Sequence, residues 1–95
     1  MTIDAIAFQI KEQADRLFPQ RTDQSMFIKL YGEIAEMIDA TDESRAGEVA
    51  DVLIMVLDYA KVKGINVEQA IRQKMAINDA RTWKRNDLGA FQHVE

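Results

Sequence analysis

The stretch "KLYGEIAEMIDATDESRAGEVADVLIMVLDYA", residues 29–60, decides the fold of this 95-residue chain. Apolar residues recur at helical spacing on both sides of the short polar segment "ATDES", residues 40–44. Two helices that are joined by so few residues must fold back on each other. The stretch therefore predicts an antiparallel helical hairpin.

Four acidic side chains lie on this predicted hairpin, with Glu33 and Glu36 on the first helix and Glu48 and Asp51 on the second. If the chain reverses direction at residue 42, Glu36 faces Glu48 and Glu33 faces Asp51, because the members of each pair are equally far from that residue. Each pair spans about one turn, since a helix rises ~1.5 Å per residue. We therefore expect the four carboxylates to converge on one spot.

Such a cluster is unfavourable on its own, because two unit charges ~5 Å apart repel by about 3 kcal/mol at an effective dielectric constant of ~20. Protonation, rotation towards solvent, basic partners or bound cations would relieve the repulsion. Hard divalent ions prefer carboxylate oxygen, and an all-oxygen site without Cys or His indicates Mg²⁺, Mn²⁺ or Ca²⁺. A di-iron centre of the Glu-x-x-His type is not expected, since the one histidine, His93, lies outside any such motif.

The alternative is an ordinary acidic face in contact with solvent. Two features weaken it. The second helix of the hairpin is apolar on nearly all sides, so we expect it to be largely buried. The two acidic pairs also occupy matching positions on either side of the turn.

The rest of the chain also shows helical periodicity, and no segment alternates convincingly with period two, so strands are not expected. The sequence predicts an all-α antiparallel bundle of about four helices, forming a single domain over residues 1–95 with residues 81–95 partly a tail. The predicted boundaries are a first helix capped by Thr2 and ended by Pro19, a second capped by Thr22 or Asp23, a third running from a Ser44 cap to about Val62, and a fourth running from an Asn66 cap to Trp83.

Composition limits the classes of function. The net charge of −4 argues against binding nucleic acid as a polymer. The longest apolar run, "VLIMVL" at residues 52–57, is too short to cross a bilayer, which needs ~20 residues. The absence of cysteine excludes a disulfide framework and agrees with a cytoplasmic protein. A domain of this size buries a modest fraction of its surface, which favours oligomerisation.

Basic and amide side chains share one stripe of the predicted fourth helix, namely Lys74, Asn78 and Arg81, and Lys29 lies one turn before Glu33. If the fourth helix packs beside the acids, these groups approach a bound metal, which is the usual arrangement for holding a polyphosphate. The alternative is that Arg81, together with Lys84 and Arg85, only complements the dipole at the end of the helix.

Two further groups of side chains have ordinary structural interpretations. Asp58 lies on the same side of the third helix as Asp51 and is expected to form a salt bridge rather than to orient a ligand. Four aromatic residues could stack on a base, but aromatic residues at helical spacing are more often part of a core or an interface. They are Phe18, Phe27, Tyr31 and Trp83.

The acidic residues form the pattern ExxE-x(11)-ExxD, at positions 33, 36, 48 and 51. Together with "EVADVLIMVLDYAKVKGINVEQAI" and "KMAINDARTW", this pattern resembles the MazG-like, all-α nucleoside triphosphate pyrophosphohydrolases. The resemblance covers roughly residues 26–83. The segment between the two motifs is near the short end of the family's range, which leaves little material to shape a base pocket.

The resemblance implies a fold, a set of ligands and an activity. Glu33, Glu36, Glu48 and Asp51 would bind Mg²⁺, for which Mn²⁺ could substitute, and would form the catalytic centre. Lys29, Lys74, Asn78 and Arg81 would contact the substrate. Members of the family cut nucleoside triphosphates between the α and β phosphates, act as homodimers or homotetramers, and serve in house-cleaning or control of nucleotide pools. Short single-domain versions also occur in phages and mobile elements.

The expected mechanism is metal-assisted hydrolysis, in which Glu36 or Glu33 holds or deprotonates a water molecule while Lys74, Arg81 and Lys29 offset the charge on the leaving pyrophosphate. Two other functions stay open from the sequence. One is a non-catalytic helical interaction or regulatory module, and the other is a nucleotide-binding sensor without turnover.

Overall fold

The computed structural model describes residues 1–94, which form four α-helices followed by a two-stranded antiparallel β-hairpin. The helices are α1 (Ile3–Leu17), α2 (Asp23–Ile38), α3 (Arg45–Val62) and α4 (Val67–Ala80), and the strands are β1 (Thr82–Arg85) and β2 (Phe91–Val94). The prediction of an all-α class with about four helices is confirmed. Within residues 1–94, none of the helices combines the length and the apolar character needed to cross a membrane.

Side chains at the predicted N-caps begin three of the four helices. The hydroxyl of Thr2 accepts a hydrogen bond from the backbone N–H of Ala5, and Thr22 forms a reciprocal capping box with Ser25. The side-chain oxygen of Asn66 accepts from the backbone N–H of Gln69.

The third predicted cap differs from the expectation. Ser44 occupies the N-cap position of α3, but its side chain makes no capping hydrogen bond there and instead contacts Thr41 in the preceding loop. The end of α3 follows the prediction, because Gly64 adopts a positive φ of 70°, which glycine accommodates without strain.

Helix α3 packs against both α2 and α1, and the start of α4 packs against α1. The core lies where α1, α3 and the start of α4 meet, and consists of Ala7, Leu57, Ala60 and Val67. The carboxylate of Asp4 accepts a hydrogen bond from the backbone N–H of Val67 at 2.9 Å, which fixes the first turn of α4 to α1. These side chains are mostly small, so the single chain has a small core.

The expectation that α3 is largely buried is wrong for the single chain. Val49, Leu53 and Val56 are exposed, although Leu57, Asp58 and Ala60 on the same helix are buried. The reason is that α1 and α2 cover only two sides of α3. An apolar surface therefore stays open along the helical hairpin.

The end of the chain also corrects the sequence prediction. α4 ends at Ala80 rather than at Trp83, and residues 82–94 form strands where none was expected. The turn between the strands is built by Asn86, whose side-chain oxygen accepts from the backbone N–H groups of Leu88 and Ala90, and by Gly89 with φ 83°. Lys84 and Arg85 consequently lie in β1 and not in the last turn of α4.

Candidate metal centre

The four acids predicted to converge do so at one place on the α2–α3 hairpin. Glu33, Glu36, Glu48 and Asp51 each present one carboxylate oxygen to a common site, and these four oxygens lie within 4.8 Å of one another. The convergence expected from mirror-related positions about residue 42 is therefore found. Its physical origin is the short loop, which fixes the register of two antiparallel helices.

Burial divides the four acids into an inner and an outer pair. Glu33 is 9% exposed and Glu48 is half-buried, whereas Glu36 and Asp51 are exposed. The Oε2 atoms of Glu33 and Glu48 are buried and have no hydrogen-bond partner among residues 1–94. A buried polar atom without a partner is unfavourable by about 1–3 kcal/mol. Divalent cations prefer carboxylate oxygens, so the donor set and its two unsatisfied oxygens fit Mg²⁺ or Mn²⁺.

Mutual repulsion between the acids affects the proton affinity of Glu36. The pKa of Glu36 is raised above its ordinary value, chiefly by the neighbouring carboxylate of Glu33 and further by that of Glu48. The positive charge of Lys29 opposes this shift. Lys29 Nζ lies 3.4 Å from Glu33 Oε1, one turn away on α2, so the predicted neighbour of the acids is in place.

The other predicted substrate-binding residues lie in the second half of the chain's last helix and at its C-cap, and within residues 1–94 no ion pair joins Lys74 or Arg81 to the four acids. Lys74 and Asn78 lie on α4, Arg81 is its C-cap, and the main packing of α4 in the described residues is against α1. Asn78 uses its backbone carbonyl to accept a hydrogen bond from Trp83 Nε1 at 2.8 Å. Its side-chain oxygen is buried and without a partner in the described chain.

Arg21 and Asp58 form a buried ion pair, of which the sequence predicted only that Asp58 would form a salt bridge. Arg21 donates two hydrogen bonds to Asp58, from Nε to Oδ2 at 2.7 Å and from Nη2 to Oδ1 at 2.8 Å. Asp58 is buried, and Asp15 also contacts Arg21 at 3.0 Å. Asp58 thus forms the predicted salt bridge. Its partner lies 37 residues away in the sequence, and no local spacing rule could have identified it.

This ion pair forms one wall of a cavity of about 200 Å³ between the end of α1 and the α2–α3 hairpin. Lys29 also lines the cavity, so the cavity and the acidic centre share a side chain. The remaining lining is mainly apolar, and the full set is Phe18, Arg21, Ser25, Met26, Lys29, Met55 and Asp58.

Of the other aromatic residues, Phe27 packs on Tyr59 with ring centroids 4.9 Å apart, and Trp83 lies in the β-hairpin.

A helical chain with carboxylates gathered between two antiparallel helices belongs to the class of all-α proteins that can hold divalent cations on oxygen ligands. Comparison with known proteins narrows this class. No protein-family model matches the sequence. A solved structure, the Cyanophage S-2L MazG-like pyrophosphohydrolase bound to dGDP and three catalytic Mn²⁺ ions per active site, matches with a TM-score of 0.91 and 40% sequence identity, over 100% of this chain and 95% of that chain.

Two curated relatives are named dATP/dGTP diphosphohydrolase. The relative from Cyanophage S-2L is 41% identical over 93 residues, which are 98% of this chain and 89% of that protein. The relative from Salmonella phage PMBT28 is 44% identical over 93 residues, but this chain spans only 32% of its length. The chain belongs to the MazG-like pyrophosphohydrolases, as the acidic motifs predicted. The expectation of Mg²⁺ with Mn²⁺ as a substitute is consistent with the Mn²⁺ ions of the solved relative.

Proposed function

We propose that the chain is a nucleoside triphosphate pyrophosphohydrolase, which uses water to cut the bond between the α and β phosphates and releases a nucleoside monophosphate and pyrophosphate. The observation that carries the proposal is the convergence of four carboxylate oxygens within 4.8 Å, two of whose residues also hold an unpartnered buried oxygen in the described structure. Family membership supports the same reaction class.

Glu33, Glu36, Glu48 and Asp51 are proposed as the metal ligands and as the catalytic centre. Divalent cations held there would neutralise phosphate charge and make a bound water more acidic. Glu33 and Glu48, the inner pair, hold their carboxylates in place through burial between the two helices. Glu36 and Asp51 face solvent, so the centre is open to a substrate on that side.

Glu36 is the best candidate for the group that accepts a proton from the attacking water. Its pKa is raised by Glu33 and Glu48, which makes it a stronger base than an ordinary glutamate. Lys29, whose ammonium is 3.4 Å from Glu33 Oε1, is proposed to contact phosphate oxygens from its exposed position beside the centre. Lys74, Asn78 and Arg81 are proposed as further substrate contacts.

Purine deoxynucleoside triphosphates are the proposed substrates, because both curated relatives are named for dATP and dGTP and each is more than 40% identical to this chain. Lys29 lines the cavity and also contacts Glu33, so we propose that the cavity receives the nucleoside part of such a substrate. The physiological role that follows is house-cleaning or control of the nucleotide pool, in the cytoplasm.

A homodimer or homotetramer is the proposed assembly. The α2–α3 hairpin exposes large apolar side chains, including Tyr31 at 76% and Leu53 at 53% exposure. Apolar surface of this kind usually marks a contact with another protein surface. We treat residues 1–95 as one domain in that assembly.

The direct test is to incubate the protein with dGTP, dATP, dCTP and dTTP, with Mg²⁺ or with EDTA, and to measure pyrophosphate and orthophosphate separately. We expect Mg²⁺-dependent pyrophosphate release, faster with the purine substrates. Orthophosphate as the first product would contradict the proposed bond cleavage. Nucleotide binding without any product would instead identify a sensor, and neither binding nor metal response would identify an interaction module.

A further inference from the structure

The cavity between the end of α1 and the α2–α3 hairpin has the size and the walls of a pocket for a flat ring. Its volume, about 200 Å³, is below the ~300–1,000 Å³ of sites that enclose a whole drug-sized ligand, so it accepts one part of a nucleotide. The ring of Phe18 and the thioether side chains of Met26 and Met55 form its apolar walls. Aromatic rings and thioethers pack well on planar rings. The cavity therefore suits a nucleobase.

The cavity lies next to the acidic centre along the hairpin. Lys29 lines the cavity one turn before Glu33 on α2, and Met55 lines it one turn after Asp51 on α3. Four residues of helix span ~6 Å, so a ligand whose phosphates bind at the acids can place its base in the cavity. This placement rests on the proposed function.

Four polar residues line the cavity, and three of them already have partners for their polar groups. The hydroxyl of Ser25 both donates and accepts within the capping box of α2. Lys29 Nζ is held at the acidic centre. Both carboxylate oxygens of Asp58 accept hydrogen bonds from Arg21, at 2.7 and 2.8 Å. The fourth residue, Arg21, is therefore the main candidate for a polar contact with a base.

Arg21 keeps a hydrogen-bond donor in reserve. A guanidinium has five N–H groups. Nε and Nη2 donate to Asp58, Nη2 also contacts Asp15 at 3.0 Å, and Nη1 donates to the carbonyl oxygen of Phe18 at 3.4 Å. These contacts use at most four of the five groups. At least one N–H of Nη1 has no partner within residues 1–94, although the side chain is only 12% exposed.

The backbone before Arg21 adopts a conformation that costs free energy. Gln20 has a φ of 63°, which places a residue with a side chain in the left-handed region. Such strain persists where surrounding contacts fix the chain, and it is concentrated at ligand sites. Here the two hydrogen bonds from Arg21 to Asp58 tie the α1–α2 turn to α3. Asp58 thereby sets the direction of the guanidinium.

We propose that Arg21 recognises the base of the substrate by donating a hydrogen bond to its acceptor edge, and that Asp58 is the positioning residue that orients Arg21. Guanine presents two adjacent acceptors, O6 and N7, whereas adenine replaces O6 with an amino donor. A guanidinium N–H therefore favours guanine over adenine. Hypoxanthine keeps O6 and N7 but lacks the 2-amino group, so it is bound in the same way as guanine.

The test compares substrates within one preparation of the full-length protein, so that any loss of folded protein cancels. We measure kcat/KM for dGTP, dITP and dATP with Mg²⁺. The values for dGTP and dITP should be similar, and both should exceed the value for dATP by about 10-fold, the size expected for one hydrogen bond from a charged donor. The difference should lie in KM rather than in kcat.

Two substitutions in the cavity and one control assign this preference to Arg21. Arg21→Lys keeps a positive charge beside Asp58 but loses the planar fork, so the ratio of dGTP to dATP should fall about 10-fold. Asp58→Asn should lower the same ratio, because Arg21 is no longer held in one direction. Arg72→Lys is the matched control, since Arg72 is exposed on α4 and pairs with Glu68. It should leave the ratio unchanged.

Two outcomes of these assays would overturn the proposal. An equal loss for all three substrates in Arg21→Lys would mean that Arg21 only supports the fold. A wild-type protein that treats dITP like dATP would mean that the 2-amino group, and not O6, is recognised.

Binding of the monophosphates dGMP, dIMP and dAMP separates this proposal from the hydrolase function, because it needs no turnover. Calorimetry with Mg²⁺ should give a Kd for dGMP and dIMP about 10-fold below that for dAMP, and Arg21→Lys should remove the difference. A wild-type protein with this binding preference but no hydrolysis refutes the hydrolase function and supports base recognition by Arg21. Equal Kd values for dGMP and dAMP refute base recognition, whatever the activity.

Discussion

Glu33 and Glu48 approach each other from α2 and α3 with one carboxylate oxygen each inside the 4.8 Å cluster, and each keeps a second, buried oxygen without a hydrogen-bond partner in residues 1–94. Buried polar groups normally have a hydrogen-bond partner. The buried Oε2 atoms of these two acids have none within residues 1–94. A divalent cation would supply the missing partner, and the following predictions depend on that interpretation.

Replacing one inner acid should separate activity from folding. Glu48→Gln keeps the shape of the side chain but removes a charged ligand, so we expect pyrophosphate release to fall by at least ~100-fold, since even residues that only support a metal ligand cost 10–100-fold. The control is Glu43→Gln in the exposed loop, which should retain activity. Steady-state assays over a range of Mg²⁺ concentrations measure both, and activity surviving Glu48→Gln would contradict the scheme.

Removing the charge of Glu36 should stabilise the metal-free protein and abolish its activity. The folded-state pKa of Glu36 is raised, so its ionisation opposes folding at pH values above that pKa and has no effect well below the unfolded value. In EDTA, Glu36→Gln should therefore raise Tm at pH 7, and the gain should disappear as the pH falls below about 4.5. Thermal melts across this range, beside the exposed α1 substitution Glu12→Gln, test the sign.

Mg²⁺ should raise the stability of the folded chain. A ligand that binds only the native state at about 100 times its Kd contributes about 3 kcal/mol, which raises Tm by more than about 10 °C for a domain of this size. Calorimetry with Mg²⁺ and with EDTA measures the shift, and Glu48→Gln should reduce it. A Tm that ignores Mg²⁺ would favour the non-catalytic interaction module.

The Arg21–Asp58 pair should matter more to stability than other ion pairs. Its side chains are 12% and 6% exposed, whereas those of Arg45 and Asp42 are 59% and 86% exposed. Asp58→Ala leaves a buried guanidinium without its main partner and should cost about 3 kcal/mol. Asp42→Ala should cost less than about 1 kcal/mol. Urea unfolding compares the two, and similar losses would show that burial does not set the strength of the Asp58 pair.

The sequence predicted the part of the site that depends on local geometry. The short loop after Ile38 fixed the helical register, and the register brought Glu36 opposite Glu48. The β-hairpin was missed because its strands have four residues each, too few for a period to be evident. Its signals were the turn residues Asn86 and Gly89, flanked by aromatic residues that favour strands.

Long-range contacts were beyond sequence periodicity. Arg21 meets Asp58 across 37 positions, and nothing in the spacing of either residue identifies the other. The expectation that α3 is largely buried failed for a related reason. The apolar pattern of α3 predicts that side chains such as Leu53 are covered by another surface. It does not show whether that surface belongs to the same chain.

The solvent-exposed side of the acidic centre should also affect how fast proteases degrade the protein. Because Glu36 and Asp51 remain in contact with solvent, ions can enter and leave the folded chain without unfolding it. The fraction of molecules that a protease can attack then follows the surrounding divalent-ion level, since digestion samples the transiently opened form. We therefore expect the half-life of the protein during digestion by trypsin, which is not a metalloprotease, to lengthen as the Mg²⁺ concentration rises. A chelator that competes for Mg²⁺ should shorten it.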